Sequence, residues 1–168
     1  LSLADIGCAE EIPETTGTIP GNALQKASHV NTNYGEDCFS EDTGLEIDAL
    51  GGAPGVDTAY YAGPQRSATD NMAKVLGELE KQTNRGAQFR TVIALILDGK
   101  EHLFEVIVRG KIALAPKGEG GFGYDPIFIP DGYDTSFAEM SPRDKNAISH
   151  RGRAVAKLQD FLQQLADA

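Results

Sequence analysis

Four short stretches of this 168-residue chain combine residue types that can do chemistry on a charged substrate. The first is Glu41-Asp42-Thr43-Gly44, two adjacent carboxylates beside a hydroxyl and a glycine. Consecutive side chains of an extended segment point to opposite faces, so one carboxylate can face a cleft while the other supports it. A hard cation such as Mg²⁺ takes oxygen ligands, commonly one or two carboxylates together with substrate phosphates. The second stretch is Glu14-Thr15-Thr16-Gly17, followed by Asn22 and Lys26. Glu14 offers a second carboxylate to the same cation, and Lys26 a point charge to a phosphate oxygen. Taken alone, the first also fits a solvated acidic turn, and the second an ordinary loop followed by an exposed helical lysine.

The third stretch is Gly120-Gly121-Phe122-Gly123-Tyr124-Asp125-Pro126. Its glycines permit backbone conformations that let a ligand approach closely, and Phe122 or Tyr124 can stack on a purine ring. It matches neither the Walker phosphate loop nor the dinucleotide-binding fingerprint. A tight turn carrying core aromatics is the competing reading. The fourth is Lys145-Asn146-Ala147-Ile148-Ser149-His150-Arg151-Gly152, at the start of the last helix. A helix N-terminus presents free N–H donors and positive potential. An arginine fork suits adjacent keto and ring-nitrogen acceptors, as it does on guanine, whereas the 6-amino group of adenine sets donor against donor. That is a physical route to selecting 6-oxo purines.

The elements that position these residues follow from periodicity. Ala23, Leu24, Ala27 and Val30 recur at helical spacing within a helix over 21–34, with Lys26 toward its edge. A short strand over 37–40 is expected to deliver Glu41 and Asp42 at its C-terminal end. Residues 49–63 hold too many glycines and prolines for regular structure and read as an ordered loop. Thr69 is the expected cap of a second helix with Met72, Val75, Leu76 and Leu79 on its buried stripe, ended by Asn84-Arg85-Gly86. Strands over 87–97 and 102–108 flank Asp98-Gly99, a two-residue hairpin signal. Further strand is expected over 112–115 and 126–129. Ser141-Pro142 starts a helix with the hydroxyl as cap. A final helix from about Ser149 is expected to bury Val155, Leu158, Phe161, Leu162 and Leu165. Hairpin strands with flanking helices predict an α/β fold with a mixed sheet.

Composition narrows the class. One domain over 1–168 is expected, without repeats or low-complexity tracts. The net charge of −10 argues against a polymeric nucleic-acid partner, which requires surplus Lys and Arg. It does not argue against a mononucleotide, which a few local cations and a divalent metal can hold. Cys8 and Cys38 form no CxxC pair and have no histidine pair nearby in sequence, predicting neither disulfide nor zinc. No apolar run approaches membrane-spanning length and no signal peptide is evident, so a soluble, cytoplasmic protein is expected.

Read together, GNALQKA (21–27), SEDTGLEIDALGGAPGV (40–56), YYAG (60–63), GGFGYDPIFIPDGY (120–133) and AEMSPRDKNAISHRGRA (138–154) resemble the inosine triphosphate pyrophosphatase family of non-canonical purine NTP pyrophosphatases. The resemblance spans nearly the whole chain. It implies an elongated α/β fold around a long mixed sheet, a homodimer, and Mg²⁺-dependent hydrolysis of ITP, dITP or XTP to the monophosphate and pyrophosphate. Asp42 then corresponds to the general base and, with Glu14, to a magnesium ligand. Lys26 and Thr43 correspond to phosphate contacts, and Phe122, Gly123, Tyr124 and Asp125 to the base- and sugar-binding turn. Lys145, His150 and Arg151 correspond to the readers of the 6-oxo purine. Relatives carry a strand and a T-x-x-N-x-x-K turn, followed by a helix, before the position of Leu1, so a truncated chain with an exposed cleft and weakened phosphate binding is expected. Two alternatives stand beside this one: a Maf-like pyrophosphatase for pyrimidine or modified nucleotides, and a catalytically impaired nucleotide-binding fragment.

Overall fold

The computed structural model describes residues 1–167. Its framework is a β-hairpin. Strands β2 (Gly86–Leu97) and β3 (Lys100–Ile112) pair antiparallel from Leu97↔Lys100 outward. The Asp98-Gly99 turn between them takes φ 51° and 76°, left-handed conformations that Asp and Gly supply at low cost. Strand β1 (Cys38–Ile47) pairs antiparallel with β2, and β4 (Phe128–Pro130) with β3. The order is β1-β2-β3-β4, and among the described residues every pairing is antiparallel. The expected α/β fold is present, but its four strands do not form the expected mixed sheet, because the hairpin and its two neighbours supply every pairing.

The two faces of β2 are both buried by different layers. Val92, Ala94 and Ile96 pack against Ile19, Ala23 and Ala27 of helix α1 (Ile19–Tyr34). The Thr18 hydroxyl caps α1 by accepting from the Gly21 N–H, and Gly35 ends it in the left-handed conformation at φ 69°. The opposite face carries Phe89, Ile93 and Leu95. These join Val75 and Leu79 of α2 (Ala68–Leu79), Phe128, Phe137, and Ala154 and Leu158 of α4 (His150–Asp167) in the main core. Helix α3 (Pro142–Ile148), capped by Ser141 as expected, abuts α4 at a corner.

Several boundaries differ from the expectations. Strand β1 runs ten residues, so Glu41 and Asp42 lie within it, not at its end. Gly44, read as part of a turn, is instead a point of close approach: a Cβ there would meet the Gly55 carbonyl oxygen at 2.6 Å. Helix α2 is capped by Ser67 in place of Thr69 and stops at Leu79. The loop over 49–63 contains a short 3-10 turn at Gly55–Tyr60, and another spans Asp48–Leu50 just before it. Strand β3 absorbs Ile112 and ends there, and a 3-10 turn at Asp125–Ile127 delays β4 to Phe128. In α4, Leu162 and Leu165 remain 40% and 46% exposed, because sheet contact ends near Phe161, whose ring meets His102 and Phe104.

Leu79 and Leu162 separate the core from this overhang. Leu79→Ala is expected to lower stability by about 2–5 kcal/mol through the cavity it leaves, and Leu162→Ala by no more than about 0.5 kcal/mol. Urea unfolding followed by circular dichroism checks both.

Candidate active site

Strand alternation divides β1 between two sites. Asp42 pairs with Val92, whose side chain faces α1, and there Lys26 Nζ lies 3.6 Å from the Asp42 carboxylate. Glu41 and Thr43 point to the other face. Glu41 meets Arg151 at 2.6 Å, and the Thr43 hydroxyl is 2.9 Å from that of Thr91.

On the α1 side, the chain before the helix folds back along it. The Thr15 N–H donates to Gln25 Oε1 at 2.7 Å, the Gln25 amide returns a bond to the Thr15 hydroxyl, and the Thr16 N–H donates to Asn22 Oδ1. This places Glu14 3.4 Å from Lys26 Nζ. Lys26 also donates to the Glu41 carbonyl oxygen at 2.5 Å. Three oxygens from Glu14, Asp42 and the Glu41 backbone thus surround one cationic point, an all-oxygen donor set of the kind a hard divalent ion takes. Burial raises Asp42 to about 6; Lys26 opposes the shift and the Glu14 charge adds to it.

On the other face lies a cavity of about 300 Å³ lined by Thr43, Thr58, Phe89, Phe122, Tyr124 and His150, among others. A second, of about 320 Å³, lies toward α3 and shares Phe122, His150 and Arg151 with the first. Two cations lie over the Phe122 ring: Lys145 Nζ is 4.4 Å and the Arg151 guanidinium carbon 5.0 Å from its centroid. It is 59% exposed, an aromatic face open to a ligand. The turn that holds it depends on Gly121 and Gly123 at φ 69° and 58°. Asp125 is buried and ties the turn down, accepting from the Phe122 N–H at 2.9 Å and from Lys145 at 2.5 Å. Tyr124 has no open face of this kind: it is buried, and its hydroxyl donates to the Thr58 carbonyl at 2.6 Å.

His150 and Arg151 owe their placement to the α3–α4 corner. Gly152 has no room for a Cβ, which would collide with the Asn146 carbonyl, and its N–H is capped by the Ser149 hydroxyl. The His150 ring stacks on Phe89 at 4.3 Å. Burial, then the charges of Arg151 and Lys145, lower its pKa to about 3, so the imidazole is neutral at physiological pH. Its buried Nδ1 has no hydrogen-bond partner among the described residues.

The structure therefore gathers Thr43, Phe122, Gly123, Tyr124, Asp125, Lys145, His150 and Arg151 around the paired cavities, and Glu14, Lys26 and Asp42 across β1 from them. Arg66 joins the two groups and escaped the sequence analysis. It lines the 300 Å³ cavity and also a third cavity shared with Glu14 and Lys26, and its guanidinium lies 4.6 Å from the Tyr60 ring centroid. An isolated arginine in a loop has no local pattern; its φ of 56°, uncommon for a side-chain-bearing residue, becomes visible only in three dimensions. Asn71 was also missed. It is buried and fastens the loop by accepting from the Ala62 N–H and donating to the Ala59 carbonyl.

Residues 1–161 match the Ham1 family. The chain is 56% identical over 161 residues to a dITP/XTP pyrophosphatase of Flavobacterium psychrophilum, covering 96% of this chain and 85% of the relative. It is 46% identical to the dITP/XTP pyrophosphatase of Bacillus subtilis, with 96% and 83% covered. Among solved structures, it superposes on the Staphylococcus aureus Ham1 protein with a TM-score of 0.93 at 36% identity, covering 98% and 86% of the two chains. It superposes on a nucleoside-triphosphatase / dITP/XTP pyrophosphatase from Mycobacterium abscessus with a TM-score of 0.82 at 41% identity, covering 96% and 84%.

The two shifted groups have opposite linkage. Asp42 rises from 3.8 to about 6, so its burial cost is absent below pH 3.8 and grows as pH rises through 6. His150 falls from 6.5 to about 3, so its contribution is present above pH 6.5 and lost as pH falls toward 3. Without divalent ions, Asp42→Asn is expected to melt at or above the parent temperature at pH 8, with the advantage vanishing near pH 4. His150→Gln is expected to flatten the parent's loss of stability between pH 6.5 and pH 4. Thermal melts across that range check both signs.

Proposed function

Since the chain belongs to the Ham1 family, we propose that it is a nucleoside-triphosphate pyrophosphatase that hydrolyses non-canonical purine nucleotides, ITP, dITP and XTP, to the monophosphate and pyrophosphate. The observation that carries this reading is the division of β1: an aromatic cavity with an ion-paired arginine on one face, the half-buried Asp42 and exposed Glu14 carboxylates with a lysine on the other, and Arg66 lining cavities on both sides.

In this reading the purine stacks on Phe122, while Lys145, neutral His150 and Arg151 meet its 6-oxo edge, with the Glu41 carboxylate holding the Arg151 fork. Asp125 keeps the Phe122 turn in shape, with Gly123 and Tyr124 forming the wall beside the base and sugar. The triphosphate runs past Thr43 and Arg66 toward Lys26. Asp42 takes a proton from water as the water oxygen bonds to the α-phosphorus, the bond to the β-phosphate bridging oxygen breaks, and pyrophosphate leaves with the electron pair. A base held near 6 is matched to work at neutral pH. Glu14 and Asp42 are the residues that would hold Mg²⁺, which when bound neutralises and orients the triphosphate. The same proposal makes residues 1–168 one catalytic domain of a cytoplasmic homodimer. The net charge of −10 supports a small-molecule over a polynucleotide substrate, and among the described residues no helix is long and apolar enough to cross a membrane.

Pyrophosphate release from ITP, XTP, ATP and dTTP, with and without Mg²⁺, tests the reading. Metal-dependent turnover of ITP and XTP well above ATP and dTTP is expected, with kcat reduced about 100-fold or more in Asp42→Asn. Preference for dTTP would favour the Maf-like alternative. Binding of ITP without pyrophosphate release would mean a nucleotide-binding fragment.

A further inference from the structure

A second cluster of metal-ligating side chains lies where the N-terminal segment meets the far end of α1, with Glu10 at the edge of the third cavity. Leu3 to Cys8 forms a compact turn, with the Cys8 N–H donating to the Leu3 carbonyl at 2.9 Å, and this turns the Cys8 side chain into a buried position. Glu10 follows at the spacing that puts alternate residues of an extended segment on one side. Its carboxylate is 3.1 Å from His29 Nε2, and the Tyr34 hydroxyl lies 2.5 and 2.7 Å from its two oxygens. The Cys8 sulfur, a Glu10 oxygen and a His29 ring nitrogen all lie within 4.8 Å of one another. Nothing in the sequence spacing pairs these residues, because Glu10 and His29 stand 19 positions apart and meet only when the segment lies along the helix.

We propose that Cys8, Glu10 and His29 form a binding site for a zinc-type divalent cation, independent of the catalytic reading above. Sulfur, nitrogen and carboxylate oxygen together suit a borderline-soft ion, in contrast to the all-oxygen set at Glu14 and Asp42. Tetrahedral zinc with bonds of about 2.0–2.3 Å sets its ligand atoms roughly 3.3–3.8 Å apart, between the 3.1 Å that separates His29 from Glu10 and the 4.8 Å within which all three groups lie. Tyr34 orients the Glu10 carboxylate from outside, the usual work of a residue behind a metal ligand. The bound ion fastens the segment to α1 at one end as the Thr15–Gln25 pair fastens it at the other, with Glu14 held between the two clasps.

The test uses the full chain stripped of metal and titrated with Co²⁺ and Zn²⁺. One equivalent of Co²⁺ is expected to produce a thiolate charge-transfer band and the visible bands of a tetrahedral ion, bleached by Zn²⁺. Cys8→Ser removes the charge-transfer band, His29→Ala weakens zinc binding at least tenfold in a chelator competition, and Cys38→Ser changes neither. Circular dichroism of each apo variant establishes that it is folded. No charge-transfer band in the folded parent, or a band that survives Cys8→Ser, would overturn the proposal. Because the readout is spectroscopic, it stands or falls apart from ITP turnover.

Discussion

The structure depends on the twofold alternation of a single edge strand. Because Asp42 and its neighbours Glu41 and Thr43 must face opposite ways, β1 serves two compartments that no loop of comparable length could hold in register. Its pairing with β2 along the whole of Cys38–Ile47 fixes that register, and a slip of one residue would exchange the contents of the two faces. Asp42 would then point at the aromatic cavity and Glu41 at α1. Both faces of β2 are buried, so the main core and the α1 seam each resist such a slip.

Around this strand the remaining site residues are held mostly by groups that leave little freedom. Asp125 spends one oxygen on the Phe122 backbone and Lys145, Glu41 engages Arg151, and Phe89 carries the His150 ring. Such second-layer contacts fix the cavity walls through the protein's own bonds, which is the condition for a preorganised electrostatic site. Gly152 contributes by what it lacks. Without a Cβ, α3 and α4 close to a sharp corner, and Lys145 and Arg151 arrive over the same aromatic ring.

Much of this was legible in the sequence, for reasons that are local. The Asp98-Gly99 hairpin, the Ser141-Pro142 helix start and the helical spacing over 21–34 are short-range signals, and each marks an element near where the chain places it. The opposition of Glu41 and Asp42 followed from the geometry of any strand. What was not legible depended on distant partners. Gly44 looked like a turn because its true reason, the approach of Gly55, is a tertiary contact. Leu162 and Leu165 continue a helical stripe whose periodicity cannot tell where the opposing surface stops. Tyr124 and Phe122 are near neighbours of the same chemical class, and only packing shows that one is a buried fastening and the other an open face. Arg66 has no motif at all.

The seam between α1 and the sheet is built from small side chains, Ala23 and Ala27 against Val92 and Ala94. Alanines have no rotamers with which to absorb an error, so the helix rides on the sheet like a part machined without clearance. Lys26 sits between those two alanines in sequence, and its ammonium reaches the Asp42 carboxylate and the Glu41 carbonyl across the same seam. The spacing of the charged groups is thus written in residues that carry no charge and touch no ligand. Drift in this enzyme's chemistry can begin with a single added methyl at that joint, while every polar residue of the site stays unchanged.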